Sequence, residues 1–444
     1  MASIECSNRN STGCKELKMK KSNIKNILII SVSVFLLRLV YFVQISESNA
    51  YLGYLPLKLD AFNIFVSALM VICIAFIIPV KIERPSDFFL LFYGVIVLLS
   101  CTIFSRTTVI IDQFGAIILF VILLIPALVV KKIHIFKYKL KIVGCFNPNI
   151  LYYGLVAMIA LAGIAAATRG ISAGFDWDSM YDRRLEGRVR IGEGNLIAYL
   201  IEMAVNGFAP FLGYVGALRN KVFFLIFSIS FSIFAFWLLG VKAAFLMTLI
   251  FVLMGFMTRR NKLQHLPAVV SYGIIFICLS ALGEYAIYGF SEIAETFVRR
   301  AFVVQGVLQS YFYDLIANFN LNSFLFGLDK SYGRVTFYVG SQYLGNPDTN
   351  ANTNAFLYSF ATSGILGYIG AVLFVGLFFS ILDKFFYSFK SKDIFFVAAV
   401  YALLLTEQAY TTAMVSSGVA VLTFIVWLIK SERQSSIKLM TISR

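Results

Sequence analysis

The feature that most constrains this chain is a series of apolar runs, repeated from residue 24 almost to the C-terminus. A helix needs about 17–25 such residues to cross the hydrocarbon of a bilayer. Twelve spans are expected, at 24–44, 61–80, 87–105, 109–130, 150–168, 195–218, 221–239, 242–258, 267–289, 354–382, 393–409 and 411–430. Backbone in lipid must satisfy its own hydrogen bonds, so these runs are read as helices. The expected fold class is an all-α polytopic membrane protein with about twelve transmembrane helices. Composition agrees: 59% of the 444 residues are hydrophobic and 14% charged, against about a quarter charged in a soluble domain. The expected organisation is a tail at 1–23, a single transmembrane domain at 24–430 and a second tail at 431–444. The tenth span is long enough to tilt. The last two nearly fuse at Gln408–Thr411, and Asn206, Gly207 and Pro210 predict a kink in the sixth.

Charge sets the orientation. With the N-terminus inside, 25 of the 38 Lys and Arg residues fall in inner segments and 12 in outer ones, and Arg38 lies within a span. Both termini are therefore expected in the cytoplasm. The net charge of +15 then belongs to loops facing anionic lipid, and nucleic acid is not an expected partner. Residues 1–26 are polar and basic, and the run that follows is too long for a cleaved signal. None of the six cysteines has zinc-ligand spacing, and none is expected in an outer loop. Both histidines, His134 and His265, fall in inner loops, so neither an outer histidine base nor a histidine metal site is expected. No metal and no cofactor is expected. The absence of a glycine-rich phosphate loop argues against nucleotide hydrolysis.

Nine of the twelve outer cations lie in two long outer loops, 169–194 and 290–353. The first opens with Asp176, Asp178 and Asp182 and continues through Arg183, Arg184, Glu186, Arg188 and Arg190. Two readings stand beside each other. The charges can pair with one another as a surface loop, each pair contributing ~0–1 kcal/mol. They can also clamp a polyanion, because the planar guanidinium fork matches phosphate oxygens. The second loop opens with a candidate amphipathic helix from Ser291 to about Ala317, with Ser291 as N-cap. At 100° per residue, Ile293, Phe297, Val304, Val307 and Tyr311 fall within about 60° of Arg300, which places Arg300 on the apolar face. Arg299 has Glu295 four residues before it, an ordinary helical pair. Asp314 lies near the Arg300 face. Arg334 is the fourth cation of this loop.

The polar run DTNANTN at 348–354 leads into the tenth span, which Asn352 or Thr353 can cap. Arg38, Asp112 and Glu202 are ionisable residues within spans and are second-line candidates, as are Arg299, Asn352 and Asn354. Arg38 and Glu202 can also pair with each other or with polar neighbours, and Asp112 can reach the interface.

Twelve spans with both ends inside and two enlarged arginine-rich loops, the third and fifth outer ones, resemble the bacterial O-antigen polymerases. An Arg-x10-Gly pattern associated with those loops matches Arg183 to Gly194 and Arg334 to Gly345. The entry to the tenth span, TNAFLYSFATSGILGYIG, is similar to the signature shared by O-antigen ligases and polymerases: an Asn, apolar residues, then Gly364-x-x-Gly367. Thr353 stands where ligases carry a histidine, and the acid usual before the first glycine is absent. Both departures favour a polymerase.

The resemblance implies a membrane glycosyltransferase of the C-type architecture, active on the periplasmic face of the inner membrane. It joins undecaprenyl-diphosphate-linked oligosaccharide repeat units into a surface glycan, without nucleotide sugar, alongside membrane lipids and a chain-length regulator protein. Such a reaction needs cations for the diphosphate leaving group and a base for the acceptor hydroxyl. Arg183, Arg184, Arg300 and Arg334 are the first candidates for the former, then Arg188 and Arg190. Glu186, Asp182 and Asp314 are candidates for the latter, unranked. Competing readings are a ligase acting on lipid A, a flippase or exporter of the lipid-linked glycan, and a scaffold without chemistry.

Overall fold

The structure, a computed structural model, describes residues 11–50, 54–57, 60–105, 107, 110–133, 146–176, 180–192 and 194–429, without side chains for 11–23, 180, 181, 188 and 243. Cys6, Cys14, Cys145, His134, Asp178 and the tail at 431–444 therefore lie outside the described residues or side chains. Among the described residues there is no strand, only an isolated bridge between Phe146 and Ile429.

Among the described residues, eight helices are long and apolar enough to cross a membrane: Ile24–Ser48, Ser86–Phe104, Gln113–Lys132, Pro148–Ala167, Leu196–Arg219, Val222–Leu239, Leu263–Tyr288 and Ala355–Phe389. The chain is an all-α polytopic membrane protein. Shorter apolar helices, Ala61–Ile77, Ala244–Arg259, Ile394–Leu404 and Val419–Leu428, fall on the remaining expected segments. Many apolar side chains face outward, Phe35, Phe65, Phe276 and Leu366 among them. Lipid tails solvate such a surface, whereas water does not.

The chain divides into two compact units. One comprises residues 1–82, 90–131 and 265–372, and the other 83–89, 132–264 and 373–444. In the first, Ile24–Ser48 packs against Ala61–Ile77 and Leu266–Tyr288, and Val304–Ala317 packs against Leu99–Phe104. The expected outer loop 290–353 is therefore not a loose excursion. Its helix Val304–Ala317 is buried along most of its length, from Gln305 to Phe312 without interruption. Gly306 permits this approach, since a Cβ there would lie 2.6 Å from the Phe104 Cβ.

The second unit packs Ala209–Arg219 between Val222–Leu239 and Lys242–Arg259. Glycines set the spacing: a Cβ on Gly255 would lie 2.5 Å from the Tyr214 carbonyl oxygen. Small residues let helices approach in this way in membranes, where dispersion replaces the hydrophobic drive. Phe211, Phe251 and Phe396 fill the centre, with Phe251 and Phe396 ring centroids 4.5 Å apart. At one end Arg219 donates to buried Asp393 at 2.6 Å and lies 4.9 Å over the Tyr152 ring, and the Tyr152 hydroxyl donates to the same carboxylate at 3.2 Å.

Helical continuity departs from expectation at the C-terminal spans. The helix expected over 393–409 stops at Leu404, and the one expected over 411–430 is divided into Tyr410–Val415 and Val419–Leu428. Gly418 takes the left-handed conformation at the second break (φ 77°), close to the Met203 and Phe208 side chains. The kink expected in the sixth span is a π-helical segment at Ala204–Phe208.

Candidate functional site

The strongest assembly in the first unit is built around a π-helical segment, Ala294–Val303. Ser291 caps it as expected, its Oγ accepting from the Ala294 amide at 3.0 Å. Gln44 holds Ser291 from outside the segment, taking its amide at 2.7 Å and donating to its carbonyl at 3.1 Å. Glu284 accepts from the Ser291 hydroxyl and the Ile293 amide at 2.7 and 3.0 Å. Glu295 then gathers three donors: Asn49 at 2.9 Å, Gln44 at 3.4 Å and Arg299 at 2.5 Å. Two more π-helical segments, Tyr41–Ile45 and Tyr93–Leu98, pack on this one. Such segments concentrate at functional sites, because each carries a strained, widened turn that packing must sustain.

The network separates two adjacent arginines. Arg299 is spent on Glu295, with its side chain 22% exposed, and it also donates to the Tyr54 hydroxyl. Burial pushes the Tyr54 phenol up to about 12. Arg300 is exposed and makes no ion pair or hydrogen bond among the described residues. This corrects its expected place on an apolar face. Each residue of a π-helix turns by less than the 100° of an α-helix, so the phase drifts. The buried residues of the segment are Ala294, Val298, Phe302 and Val303, while Phe297 is 47% exposed.

Asp314 is engaged at both oxygens, accepting from the Tyr343 hydroxyl at 2.7 Å and from the Asn318 amide at 3.2 Å. Burial, then the bond to Asp314, raises the Tyr343 phenol and keeps its proton in place. Tyr343 also stacks on Tyr311, with centroids 5.0 Å apart. Arg334 is exposed at the N-cap position of Val335–Leu344.

At the entry to the next span the cap is Asn354, not Asn352 or Thr353: its Oδ1 accepts from the Phe356 and Leu357 amides at 3.2 and 3.1 Å. The Asn354 Nδ2 and the Thr353 hydroxyl are buried without a hydrogen-bond partner among the described residues, and Asn352 is exposed. The Gly-x-x-Gly signature marks a break in Ala355–Phe389 at Ser363 and Gly364. Gly364 has φ 64°, and a Cβ there would lie 2.3 Å from the Leu325 carbonyl carbon. Of the second-line residues in this unit, Arg38 donates to the Ser67 hydroxyl at 2.7 Å, and Asp112 accepts from the Gly115 amide at 2.7 Å, capping its helix.

In the second unit the stretch expected as an outer loop contains the helix Met180–Ile191. One of its faces is spent on the chain just before it. Arg183 is 4% exposed and donates to the Asp176 carbonyl at 2.8 Å. Glu186 accepts from Arg190 at 2.8 Å and from the Ser172 amide at 3.1 Å. Those two bonds, Ser172 first, hold the Glu186 carboxyl below the usual carboxylate range, which makes it a poor proton acceptor. Arg190 also reaches the Arg169 carbonyl at 3.5 Å.

Two residues of this helix point elsewhere: Arg184 and Asp182 are exposed. The Arg188 side chain lies outside the description. Arg184 acts electrostatically on Glu407, in the turn after Ile394–Leu404. Glu407 was not among the residues singled out from sequence. The available signal was a lone carboxylate inside a long apolar stretch. Glu202 lies just before the π-helical segment Ala204–Phe208.

No family model, curated protein or solved structure matches the chain.

Proposed function

We propose that the protein is a membrane glycosyltransferase that polymerises undecaprenyl-diphosphate-linked oligosaccharide repeat units on the periplasmic face of the bacterial inner membrane. The observation that carries this reading is Arg300: an exposed guanidinium without an ion pair or hydrogen bond among the described residues, on a π-helical segment held by Gln44, Asn49, Glu284 and Glu295. A rigid scaffold that leaves one cation unsatisfied suits an anionic ligand, and the diphosphate of a lipid-linked sugar is the anion at a membrane surface. Chain growth brings two such diphosphates to the enzyme, one on the growing glycan and one on the incoming unit. Arg334 and Arg184 are further exposed arginines.

In the proposed reaction the acceptor hydroxyl attacks the anomeric carbon of the growing glycan. The bond from that carbon to the diphosphate oxygen breaks, and the charge left on the diphosphate is met by guanidinium groups. This reading keeps twelve spans, both termini in the cytoplasm and the two arginine-rich loops outside. Membrane lipid and a chain-length regulator are the proposed partners.

Arg300→Ala tests it. Long glycan should vanish from cells, while the protein stays inserted and single repeat units still reach the surface. Removing one group that stabilises developing charge should slow extension by about 10²–10³-fold. A normal ladder of chain lengths in that variant would remove Arg300 from the mechanism.

A further inference from the structure

We propose that residues 318–334 form a re-entrant clip seated in the headgroup layer of the bilayer. Leu321, Phe326 and Tyr332 lie toward the acyl chains, and Lys330 takes lipid phosphate. The inference needs only that the chain spans a membrane, and it stands whether or not the protein extends a glycan.

The clip lies within one unit, in a stretch expected as an outer loop. The chain leaves the helix Val304–Ala317, forms the short helix Leu321–Phe326 and the turn Lys330–Tyr332, and becomes helical again at Val335. Asn320 starts the short helix by accepting from the Ser323 amide at 2.8 Å, and Asp329 starts the turn by accepting from the Ser331 amide at 2.8 Å.

What fixes the clip is the break in Ala355–Phe389. Gly327 and Gly364 both take positive φ, 92° and 64°. A Cβ on Gly327 would strike the Thr362 carbonyl, and one on Gly364 the Leu325 carbonyl. The two backbones cross with no room for a side chain between them, which is why both positions are glycine. The Leu328 amide donates to the Ala361 carbonyl at 2.8 Å, and the Phe324 ring meets Phe360 edge-on with centroids 5.6 Å apart. The clip is therefore anchored on a membrane-spanning helix.

The break also marks where the lipid-facing surface of that helix starts. From Ala355 to Ala361 every side chain but Tyr358 is buried, whereas Leu366 and Ile369 are exposed. From Gly364 to Leu382 the sequence holds 19 residues and no charge. As helix that is about 28 Å, close to the ~30 Å of a hydrocarbon layer. The clip thus meets the helix at the edge of the hydrocarbon, the depth at which headgroups lie.

Its surface suits that depth. Leu321 and Phe326 are 76% and 61% exposed, and Tyr332 is exposed beside them. Water disfavours three such groups on one short segment, but apolar and aromatic side chains settle readily among headgroups. The exposed Lys330 ammonium makes no ion pair or hydrogen bond among the described residues, and the neighbouring Asp329 carboxylate is turned to the Ser331 amide. Lipid phosphate is the anion a cation meets there. Backbone near the hydrocarbon needs partners within the protein, and the Gly327 and Leu328 amides have them in the Ser323 and Ala361 carbonyls.

The test uses the full chain in nanodiscs of phosphatidylethanolamine and phosphatidylglycerol. Native cysteines are replaced by alanine, and a nitroxide is attached at Leu321→Cys, Phe326→Cys or Tyr332→Cys. Collisions with oxygen and with a water-soluble nickel chelate report depth. Labels at all three positions should collide with oxygen and lose the nickel collisions shown by a label at exposed Asp348. Nickel collisions equal to those at Asp348 overturn the proposal. Loss of both kinds of collision overturns it too, since a second copy or another protein then covers the segment. Lys330→Gln should bring the Phe326 label closer to water, and unchanged nickel collisions there would remove Lys330 from the contact. Should the cysteine-free chain fail to fold, the wild-type chain is photolabelled by a phospholipid with a diazirine near its headgroup. Label on the peptide containing 321–332 supports the clip, and its absence while the spans carry label overturns it.

Discussion

At the scale of single residues, neighbouring arginines differ in what holds them. Arg299 and Arg183 are bound into the fold, through Glu295 and the Asp176 carbonyl, while Arg300 is exposed with no ion pair or hydrogen bond among the described residues. Substitution should separate the two kinds. Glu295→Ala leaves three donors without their acceptor, two of them on buried side chains. It should cost about 3 kcal/mol and lower the melting temperature in detergent. Arg183→Ala should cost about 0.5–1.5 kcal/mol by removing the bond to the Asp176 carbonyl. Arg300→Ala should leave the melting curve unchanged and remove only extension. A destabilised Arg300→Ala would show that the side chain serves the fold instead. The Arg299 pair with Glu295 was readable from four-residue spacing. The surroundings of Arg300 were not, because composition does not distinguish a π-turn from an α-turn and the helical phase depends on that choice.

The elements carry the next set of consequences. Gly364 sits at a break where φ is positive and a side chain would meet Leu325, whereas a Cβ on Gly370, in the same helix, meets nothing within 4 Å. Gly364→Ala should therefore lower stability by more than about 2 kcal/mol, seen as lost folded yield. Gly370→Ala should be neutral or stabilising by about 0.5–1 kcal/mol. Equal effects at both positions would contradict the account of the break.

The helix Met180–Ile191 is fastened by Glu186 to Ser172 and Arg190. Because the Glu186 carboxyl is held below its ordinary value, this fastening is present above the ordinary carboxylate pKa. It is lost as pH falls through the lowered one. A spin label at exposed Val189 should become more mobile over that acidic range in the wild type, and should be mobile at all pH values in Glu186→Gln. The apolar runs themselves were plain in the sequence, and so were the Ser291 cap and the irregularity near Asn206. The breaks at 405–409 and 416–418 were hidden, since the chain remains apolar through them and only the packed structure shows where the helix stops.

For the whole molecule, class was legible from hydrophobicity alone, because no soluble surface accommodates such a chain. The contribution of the 290–353 stretch to the first unit was not. Gln44 and Asn49 reach Ser291 and Glu295 across some 250 positions, and sequence spacing carries no trace of such partners.

The central claim is that this chain joins lipid-linked repeat units, and one assay addresses it directly. Purified protein in nanodiscs is given undecaprenyl-diphosphate-linked repeat units alone, and the products are separated by size. The account predicts a ladder of lengthening glycans that remain on undecaprenyl diphosphate. Transfer of glycan to added lipid A, relocation of units across the bilayer without new glycosidic bonds, or no product at all would contradict it.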